Sequence, residues 1–203
     1  MSKVVGLSGA QGGGKSTLLG GLRNVGWKVD YFKVSRAVQA QLGWDRLDTV
    51  LDNVETMQRF QEEVLAQKLK RDQELRSTAS QDIVLTERTF ADICAYTTYW
   101  TWELVDAQKW EFSDAVAWLH DYTGRCIAAQ SRCYDAIILL PFMSHVQWAG
   151  DPNRASFSSV NTVWESIERF TQRFDLISMP SYYVKETSVD GRVDEVDNFL
   201  RTL

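Results

Sequence analysis

Proline, histidine and cysteine are scarce in this sequence, and each shortage excludes a class of protein. Three prolines and twelve glycines among 203 residues exclude a collagen-like chain and argue against long disordered segments. The three cysteines and two histidines have no zinc-ligand spacing. An odd number of cysteines without a pairing pattern predicts free thiols in a reducing compartment.

Long apolar runs and basic charge are also in short supply. The longest apolar run, at residues 136–143, is far shorter than the ~18 residues of a membrane span. Asp and Glu (27) outnumber Lys and Arg (22), and the net charge of -5 excludes a basic coat for nucleic acid, although a local basic groove is compatible with it. The N-terminus shows no signal peptide. We expect a cytoplasmic protein, in the host cytoplasm if its source is viral.

The alternation of short apolar segments with longer amphipathic stretches predicts the fold class. It is typical of a doubly wound α/β fold, in which a parallel five-stranded sheet carries helices on both faces. The predicted strands are residues 4–7, 28–32, 83–86, 136–140 and 182–185. The predicted helices are residues 15–24, 35–43 with Ser35 as the cap, 52–76, a helix from 90 onward, 103–130 with a break near Gly124, 160–174 and 193–203.

The length and the lack of linkers predict a single domain. A chain of 203 residues fits one α/β domain, and no repeat or low-complexity segment divides it. We expect the domain to span residues 1–203, with a helical insertion at about 99–130 and a lid at about 144–159. The lid segment is polar and rich in turn-forming residues. The sequence leaves the oligomeric state open.

The glycine-rich segment GAQGGGKS carries the most specific chemical signature. It satisfies the pattern G-x-x-x-x-G-K-[ST], follows a predicted strand and opens a predicted helix. In such a loop, backbone N–H groups and the helix dipole hold phosphate oxygens, the lysine bridges the β- and γ-phosphates, and the serine binds Mg²⁺. We expect Lys15 to lie at the surface of this site. The predicted ATP-binding residues are Gly9, Ala10, Gln11, Gly12, Gly13, Gly14, Lys15, Ser16 and Thr17.

An acidic residue at the end of the third predicted strand narrows the class of phosphate-binding protein. Glu87 and Arg88 would lie beside the phosphate loop, since ligands of a doubly wound sheet gather at the carboxyl ends of its strands. Glu87 is a candidate to hold Mg²⁺ or to accept a hydroxyl proton, and Arg88 to clamp a phosphate. Alternatively, the two form a surface ion pair. A GTPase is not favoured, because N-K-x-D is missing and the D-x-x-G at residues 121–124 falls in a predicted helix.

These motifs together resemble those of small P-loop kinases that act on nucleosides, nucleotides and related metabolites. The segment TERTFADICAY is most similar to the ribosylnicotinamide-kinase-like group and to related kinases of bacteriophages. The resemblance implies ATP and Mg²⁺ as cofactors, with Ser16 and Glu87 as metal ligands. It also implies catalytic roles for Lys15, Glu87, Arg88 and a lid arginine. The residues that match the group's pattern are Glu87, Arg88, Asp92, Ala95 and Tyr96.

The lid and the acceptor pocket of the resembling kinases suggest further site residues. Arg154, in the segment DPNR, has the position of the lid arginine, with Arg169 and Arg173 on the next helix as alternates. After the second predicted strand, Arg36 is expected to bind a substrate phosphate, with Lys33 as the alternate. For both Arg154 and Arg36, the competing interpretation is a solvated surface arginine.

Asp92 and a group of aromatic residues complete the predicted acceptor site. Asp92 is expected either to contact a substrate hydroxyl or base edge, or to pair with Arg88. Four of the eight tryptophans fall in the predicted insertion. Tyr99, Trp100 and Trp102 either form a stacking wall for a base or pack the insertion against the sheet.

The expected function is ATP–Mg²⁺-dependent phosphoryl transfer to a nucleoside, a nucleotide or a related acceptor. One alternative is a kinase of 5-hydroxymethyluracil in phage DNA, because the resembling phage kinases include such enzymes. Lys68, Lys70, Arg71 and Arg76 would then be candidates for a basic DNA track, although interleaved acidic residues also fit a solvated helix face. Another alternative is an ATPase or nucleotide switch that acts through a protein partner. The third alternative is a nucleotide-binding scaffold without catalytic activity.

Overall fold

The computed structural model describes residues 2–77, 82–142, 157–175 and 179–203, and it describes only the helical backbone of residues 157–159 and 173–175. Five strands form one parallel sheet in the order β2-β3-β1-β4-β5, which confirms the predicted doubly wound α/β fold. The strands are β1 (Lys3–Ser8), β2 (Lys28–Asp30), β3 (Ile83–Glu87), β4 (Ala136–Leu139) and β5 (Ser181–Tyr183).

The described helices alternate with these strands along the chain. A short 3₁₀ helix, Leu47–Leu51, lies between α2 and α3. None of the described helices combines the length and the hydropathy that a bilayer crossing requires. The α-helices are α1 (Lys15–Asn24), α2 (Val34–Gln41), α3 (Val54–Ser77), α4 (Phe90–Asp106), α5 (Phe112–Cys133), α6 (Phe157–Asp175) and α7 (Val189–Leu200).

Helices cover both faces of the sheet because its central strand is apolar on both sides. Val4 and Val5 are neighbours in β1 and are both fully buried, but they belong to opposite core layers. Val4 packs in the layer that includes Phe60 of α3 and Tyr122 of α5, whereas Val5 packs with Leu22 of α1. A near-continuous apolar run is typical of a parallel strand buried on both faces.

The strand order brings the two predicted motifs to the same edge of the sheet. β1 pairs in parallel with β3, and Leu7 is in register with Glu87. The loop that follows β1 therefore begins beside the strand end that carries the carboxylate. β4 flanks β1 on the other side. This carboxyl edge is where ligands of open α/β sheets bind.

The turn between α4 and α5 corrects one prediction. The break expected near Gly124 is instead at residues 107–111, and Gly124 lies inside α5 facing open space. Gln108 adopts a left-handed φ of 57°, and the backbone N–H of Lys109 donates to the carbonyl of Leu104 at 2.8 Å. Because glycine usually takes this helix-ending conformation, a glutamine there leaves no signal in the sequence.

Two helix starts also differ from the prediction. Ser35 lies inside α2 rather than at its cap, because the N-cap residue is Lys33, which makes no capping hydrogen bond with its side chain. α7 begins at Val189, earlier than predicted, because the side chain of Ser188 caps its first turn.

The structure describes the predicted insertion but almost none of the predicted lid. Residues 99–130 cover the second half of α4 and most of α5, and both helices contribute to the core layer that contains α3. The buried sides of α4 and α5 carry the three cysteines, Cys94, Cys126 and Cys133, which are free thiols. The predicted lid lies outside the described residues except for the helical backbone of 157–159. The boundaries of the insertion and of the domain remain predictions.

Candidate active site

The phosphate loop connects β1 to α1 and depends on glycine at particular positions. Gly12 and Gly14 have φ angles of 80° and 85°, in the left-handed region that glycine adopts without cost. A Cβ at Gly9 would lie only 3.2 Å from Cβ of Leu140. No side chain caps the N-terminus of α1. Its first N–H groups and the positive end of its dipole are therefore available to an anion.

Lys15 is buried rather than at the surface of the site, which corrects our expectation. Its side chain folds back on the loop, and Nζ donates to the carbonyl oxygens of Gly9 and Ala10, the latter at 2.8 Å. The residue is 5% exposed. Burial and the charge of Arg88 lower the pKa of Lys15 to about 8, although the carboxylates of Asp92 and Glu87 oppose this shift.

Ser16 and Glu87 come together as the prediction required. Ser16 Oγ lies 3.3 and 3.4 Å from the two carboxylate oxygens of Glu87, which is 8% exposed at the end of β3. A hydroxyl and a carboxylate are hard oxygen donors that suit Mg²⁺. Across the described ranges, no group of three or more His, Cys, Asp or Glu residues forms a metal cage. The hydroxyl and carboxylate of this pair fit Mg²⁺, which usually takes one or two protein ligands and completes its shell with phosphates and water.

Arg88 follows Glu87 in an unusual backbone conformation. Its φ of 66° lies in the left-handed region, which is uncommon for a residue other than glycine. Its guanidinium stacks over the ring of Tyr96, with 4.9 Å from Cζ to the ring centroid. The turn therefore directs Glu87 toward the phosphate loop and Arg88 toward α4.

Asp92 supports the phosphate loop instead of facing a substrate, and its predicted role is corrected here. The side chain is fully buried, and its Oδ2 accepts hydrogen bonds from Ser8 Oγ at 2.6 Å and from the N–H of Thr89 at 2.9 Å. Its Oδ1 accepts the N–H of Gly9 at 3.2 Å. Asp92 also completes a capping box with Thr89 at the start of α4. These bonds tie α4 to the beginning of the phosphate loop.

An aromatic cleft opens beside Glu87 and extends between α2, α3 and α4. Trp100 lines it and meets Phe60 edge to face, with ring centroids 5.8 Å apart. The other two rings of the predicted stacking wall lie elsewhere: Trp102 stacks on Phe112, and Tyr99 packs toward α6. The lining residues are Gln11, Lys33, Ser35, Arg36, Leu47, Phe60, Gln61, Val64, Glu87, Arg88, Ile93, Tyr96 and Trp100.

Gln61 is a cleft residue that the sequence analysis did not single out. It is 1% exposed, and its Nε2 has no hydrogen-bond partner among the described groups. A buried amide nitrogen left unpaired costs about 1–3 kcal/mol, and a ligand atom that accepts a hydrogen bond from it would remove this cost. Its burial could have been inferred from the helical spacing of the sequence, because Gln61 lies on the same side of α3 as the buried residues Met57 and Val64.

A second groove lies on the other side of the phosphate loop. Arg192 bridges it, since Nη1 donates to the carbonyl of Gly13 at 3.1 Å and Nε to the carbonyl of Glu186 at 2.9 Å. Arg192 is 4% exposed, and burial lowers its pKa. No motif in the sequence indicates this groove. Its lining residues are Gly12, Gly14, Thr17, Leu18, Thr187, Val189 and Arg192.

The arginines and lysines predicted for ligand binding have different placements. Arg36 is exposed at the start of α2 and lines the aromatic cleft, as Lys33 does. Arg169 is exposed on α6. Arg154 and the side chain of Arg173 lie outside the described residues.

Three of the four cations considered for a DNA track at the end of α3 are paired with aspartates, whereas Lys70 is exposed. Lys68 is fully buried in an ion pair with Asp72, and Arg71 is paired with Asp30 at 2.6 Å. Arg76 is also paired with an aspartate. Lys68 is therefore not available to a nucleic-acid backbone, and Arg71 and Arg76 would have to leave their aspartates to contact one.

Comparison with solved structures shows the same fold at low sequence identity. Deoxyadenosine kinase from M. mycoides, with the products dCMP and dCDP bound, matches with a TM-score of 0.68 and 14% identity over 98% of this chain and 100% of that chain. The NadR protein in complex with NR matches with a TM-score of 0.66 and 16% identity over 98% of this chain and 52% of that chain. No protein of curated function shows significant sequence similarity.

The family is shown by a sequence model rather than by these structures. A family model described as an AAA domain matches residues 4–192, which include the phosphate loop, the Glu87–Arg88 turn and Arg192. The match leaves only short segments at the two ends of the chain. The fold is shared with the deoxyadenosine kinase structure. The chain therefore belongs to this AAA domain family.

Proposed function

We propose that the chain is a kinase that uses ATP and Mg²⁺ to phosphorylate a nucleoside, a nucleotide or a related acceptor. The observation that carries this proposal is a phosphate loop and an aromatic cleft that share Glu87 at one edge of the sheet. An ATPase needs only water beside the γ-phosphate, whereas a kinase needs a pocket that orients a second substrate. The shared fold with a deoxyadenosine kinase and with a NadR protein bound to NR supports a nucleoside-like acceptor.

Positioning and charge neutralisation would account for catalysis in this site. Lys15 and the N–H groups at the start of α1 bind the phosphates of ATP. Ser16 and Glu87 would hold Mg²⁺, and the bound metal would neutralise phosphate charge. Arg88 binds the phosphoryl group that is transferred. The groove beside Arg192 takes the nucleoside part of ATP.

The cleft suits a flat, polar-edged group such as a nucleobase. Phe60, Tyr96 and Trp100 supply aromatic surface, against which a base can stack or pack. Gln61 supplies an amide donor that lacks a partner among the described groups. A base edge that accepts a hydrogen bond would satisfy this donor.

Two cations at the start of α2 favour an acceptor that carries a phosphate group. Lys33 and Arg36 are exposed and line the cleft. Arg36 donates to the side-chain oxygen of Gln39 at 3.1 Å, and no carboxylate among the described residues pairs with it. A phosphate would give both cations a charge-assisted partner. The 5′-phosphate of a free nucleotide and the phosphodiester of a DNA strand offer the same chemistry.

Transfer of labelled γ-phosphate to matched acceptors tests the proposal. The acceptors are nucleosides, their 5′-monophosphates, ribosylnicotinamide and a single-stranded oligonucleotide that contains 5-hydroxymethyluracil. Each nucleoside is compared with its own monophosphate. We expect label in a monomeric acceptor and a lower KM for the monophosphate than for the nucleoside. Arg36→Ala should raise the KM of the monophosphate ~10-fold. Arg59→Ala, an exposed arginine of α3 that does not line the cleft, is the control.

The remaining outcomes distinguish the alternatives. Label found only in the oligonucleotide would make a DNA base the acceptor, and binding should then weaken steeply with salt. Steady ATP hydrolysis with every acceptor unlabelled would contradict the kinase and favour an ATPase or a nucleotide switch. Equal effects of the Arg36 and Arg59 substitutions would exclude Arg36 from acceptor binding.

A further inference from the structure

A fully buried ion pair lies beneath the turn formed by Glu87 and Arg88. Lys68 and Asp72 are one helical turn apart on α3, have no exposed side-chain surface, and are joined by a distance of 2.9 Å between Nζ and Oδ1. Removing two charges from water costs free energy that their attraction often fails to offset. Replacing such a pair by apolar residues is frequently neutral or stabilising. Stability alone therefore does not account for this lysine and this aspartate.

The pair is connected to the backbone of the turn at Glu87. Lys68 Nζ donates to Thr86 Oγ1 at 2.7 Å and lies 3.3 Å from the carbonyl oxygen of Glu87. The hydroxyl of Tyr134 donates its one proton to Asp72 and so holds the far end of the ion pair. An ammonium group has three donors, and the aspartate, the threonine and the Glu87 carbonyl occupy all three.

The turn that these bonds hold is conformationally strained. Arg88 has a φ of 66°, and such a conformation persists in a non-glycine residue only where the surrounding structure enforces it. The same conformation directs Glu87 to Ser16 on one side and Arg88 over Tyr96 on the other. The backbone N–H of Arg88 is held separately, by the carbonyl of Leu7 at 2.9 Å.

We propose that Lys68, Asp72 and Tyr134 are positioning residues that hold the Glu87–Arg88 turn in its reactive geometry: Lys68 binds the Glu87 carbonyl and the Thr86 hydroxyl, Asp72 fixes Lys68, and Tyr134 fixes Asp72. The inference rests on the proposed kinase function. Loss of this network shifts Glu87 and Arg88 together, while the phosphate loop stays in place because it is attached to the end of β1. A displacement of about 1 Å at reacting groups can cost ~10²-fold in rate. The network therefore controls the rate of transfer more than the binding of ATP.

Two variants test this without leaving a buried charge unpaired. Tyr134→Phe removes one hydroxyl and keeps the ion pair, whereas the double variant Lys68→Met/Asp72→Leu removes both charges at once. We expect kcat to fall ~10- to 100-fold in each while the KM for ATP stays within about threefold of wild type. Val196→Ala is the control, because Val196 is fully buried in the opposite core layer. It should lower Tm and leave kcat of the folded protein unchanged.

Hydrogen exchange of the Arg88 amide provides a readout that does not depend on activity. Measured by NMR, it should accelerate in both network variants more than in Val196→Ala at matched stability. A wild-type protein without transferase activity would contradict the proposed function, and the exchange rates would still show whether the network holds the turn. If the network variants match Val196→Ala both in kcat and in Arg88 exchange, the positioning role is overturned.

Discussion

Glu87 is the residue that links the two halves of the site. Its carboxylate oxygens lie 3.3 and 3.4 Å from Ser16 Oγ, and its side chain also lines the cleft. Glutamine keeps the size of the side chain but removes the charge that Mg²⁺ or an acceptor proton requires. The carboxylate should therefore matter for turnover far more than for nucleotide affinity.

We expect Glu87→Gln to lower kcat ~10²- to 10³-fold while the Kd for ATP measured without Mg²⁺ changes little. Steady-state kinetics and equilibrium binding on the same preparation measure the two effects. Glu55→Gln, at an exposed position of α3, is the matched control. Wild-type turnover in Glu87→Gln would leave this residue with only a structural role.

Gln61 supports a prediction in which stability and affinity move in opposite directions. Its Nε2 is buried and has no partner among the described groups, so Gln61→Leu removes an unpaired donor at nearly constant size. We expect the free energy of unfolding to stay the same or rise by about 1 kcal/mol, while the KM of the acceptor rises ~10-fold. Urea unfolding and acceptor titration measure the two quantities. An unchanged acceptor KM would remove Gln61 from the proposed site.

Among the larger elements, the connection between β5 and α7 depends on one carboxylate. Glu195 accepts hydrogen bonds from the N–H groups of Lys185 and Glu186. The carbonyl of Glu186 in turn holds Arg192, whose other end binds the carbonyl of Gly13 in the phosphate loop. The groove beside the loop is therefore shaped by contacts that begin at Glu195.

The protonation of Glu195 predicts a pH-dependent stability. Burial opposes its ionisation, but the N–H groups of Glu186 and Lys185 and the hydroxyl of Tyr182 hold its pKa below the usual value. A carboxylate whose pKa is lowered by folding stabilises the protein above the unfolded-state pKa, and this contribution is lost as the pH falls through the folded-state pKa.

We expect Glu195→Gln to reduce the free energy of unfolding by about 1 kcal/mol near neutral pH. The difference from wild type should disappear as the pH falls through the lowered folded-state pKa of Glu195, where the wild-type carboxylate becomes protonated. Urea unfolding at neutral and at acidic pH measures it. A difference that persists unchanged in acid would mean that the charge of Glu195 is not what stabilises this connection.

For the molecule as a whole, features that are contiguous in sequence are predictable, and features that depend on distant partners are not. The phosphate loop is one string, and Glu87 ends a strand, so pattern and strand order suffice to bring them together. Arg192 donates to Gly13 across 179 positions of the chain. Tyr134 reaches Asp72 across 62 positions. No local pattern marks contacts of this kind.

Charged residues that pair inside the fold also caused errors in the roles predicted from the sequence. Lys68 belongs to a stretch whose composition fits a solvated face or a DNA track, but it is fully buried against Asp72. Asp92 matches the pattern of the resembling kinases, yet its carboxylate is used by Ser8, Gly9 and the start of α4. Residue type alone does not indicate whether a charge faces a ligand or an internal partner.

The central claim is that ATP phosphate passes to an acceptor held in the cleft, and the ratio of phosphorylated acceptor to ADP tests it most directly. The account predicts one phosphorylated acceptor for each ADP with the wild-type protein. It predicts a loss of ~10²-fold or more in Lys15→Met, which keeps the bulk of the buried side chain and removes its charge. ADP formed at the same rate with and without acceptor, or undiminished transfer by Lys15→Met, would contradict the account.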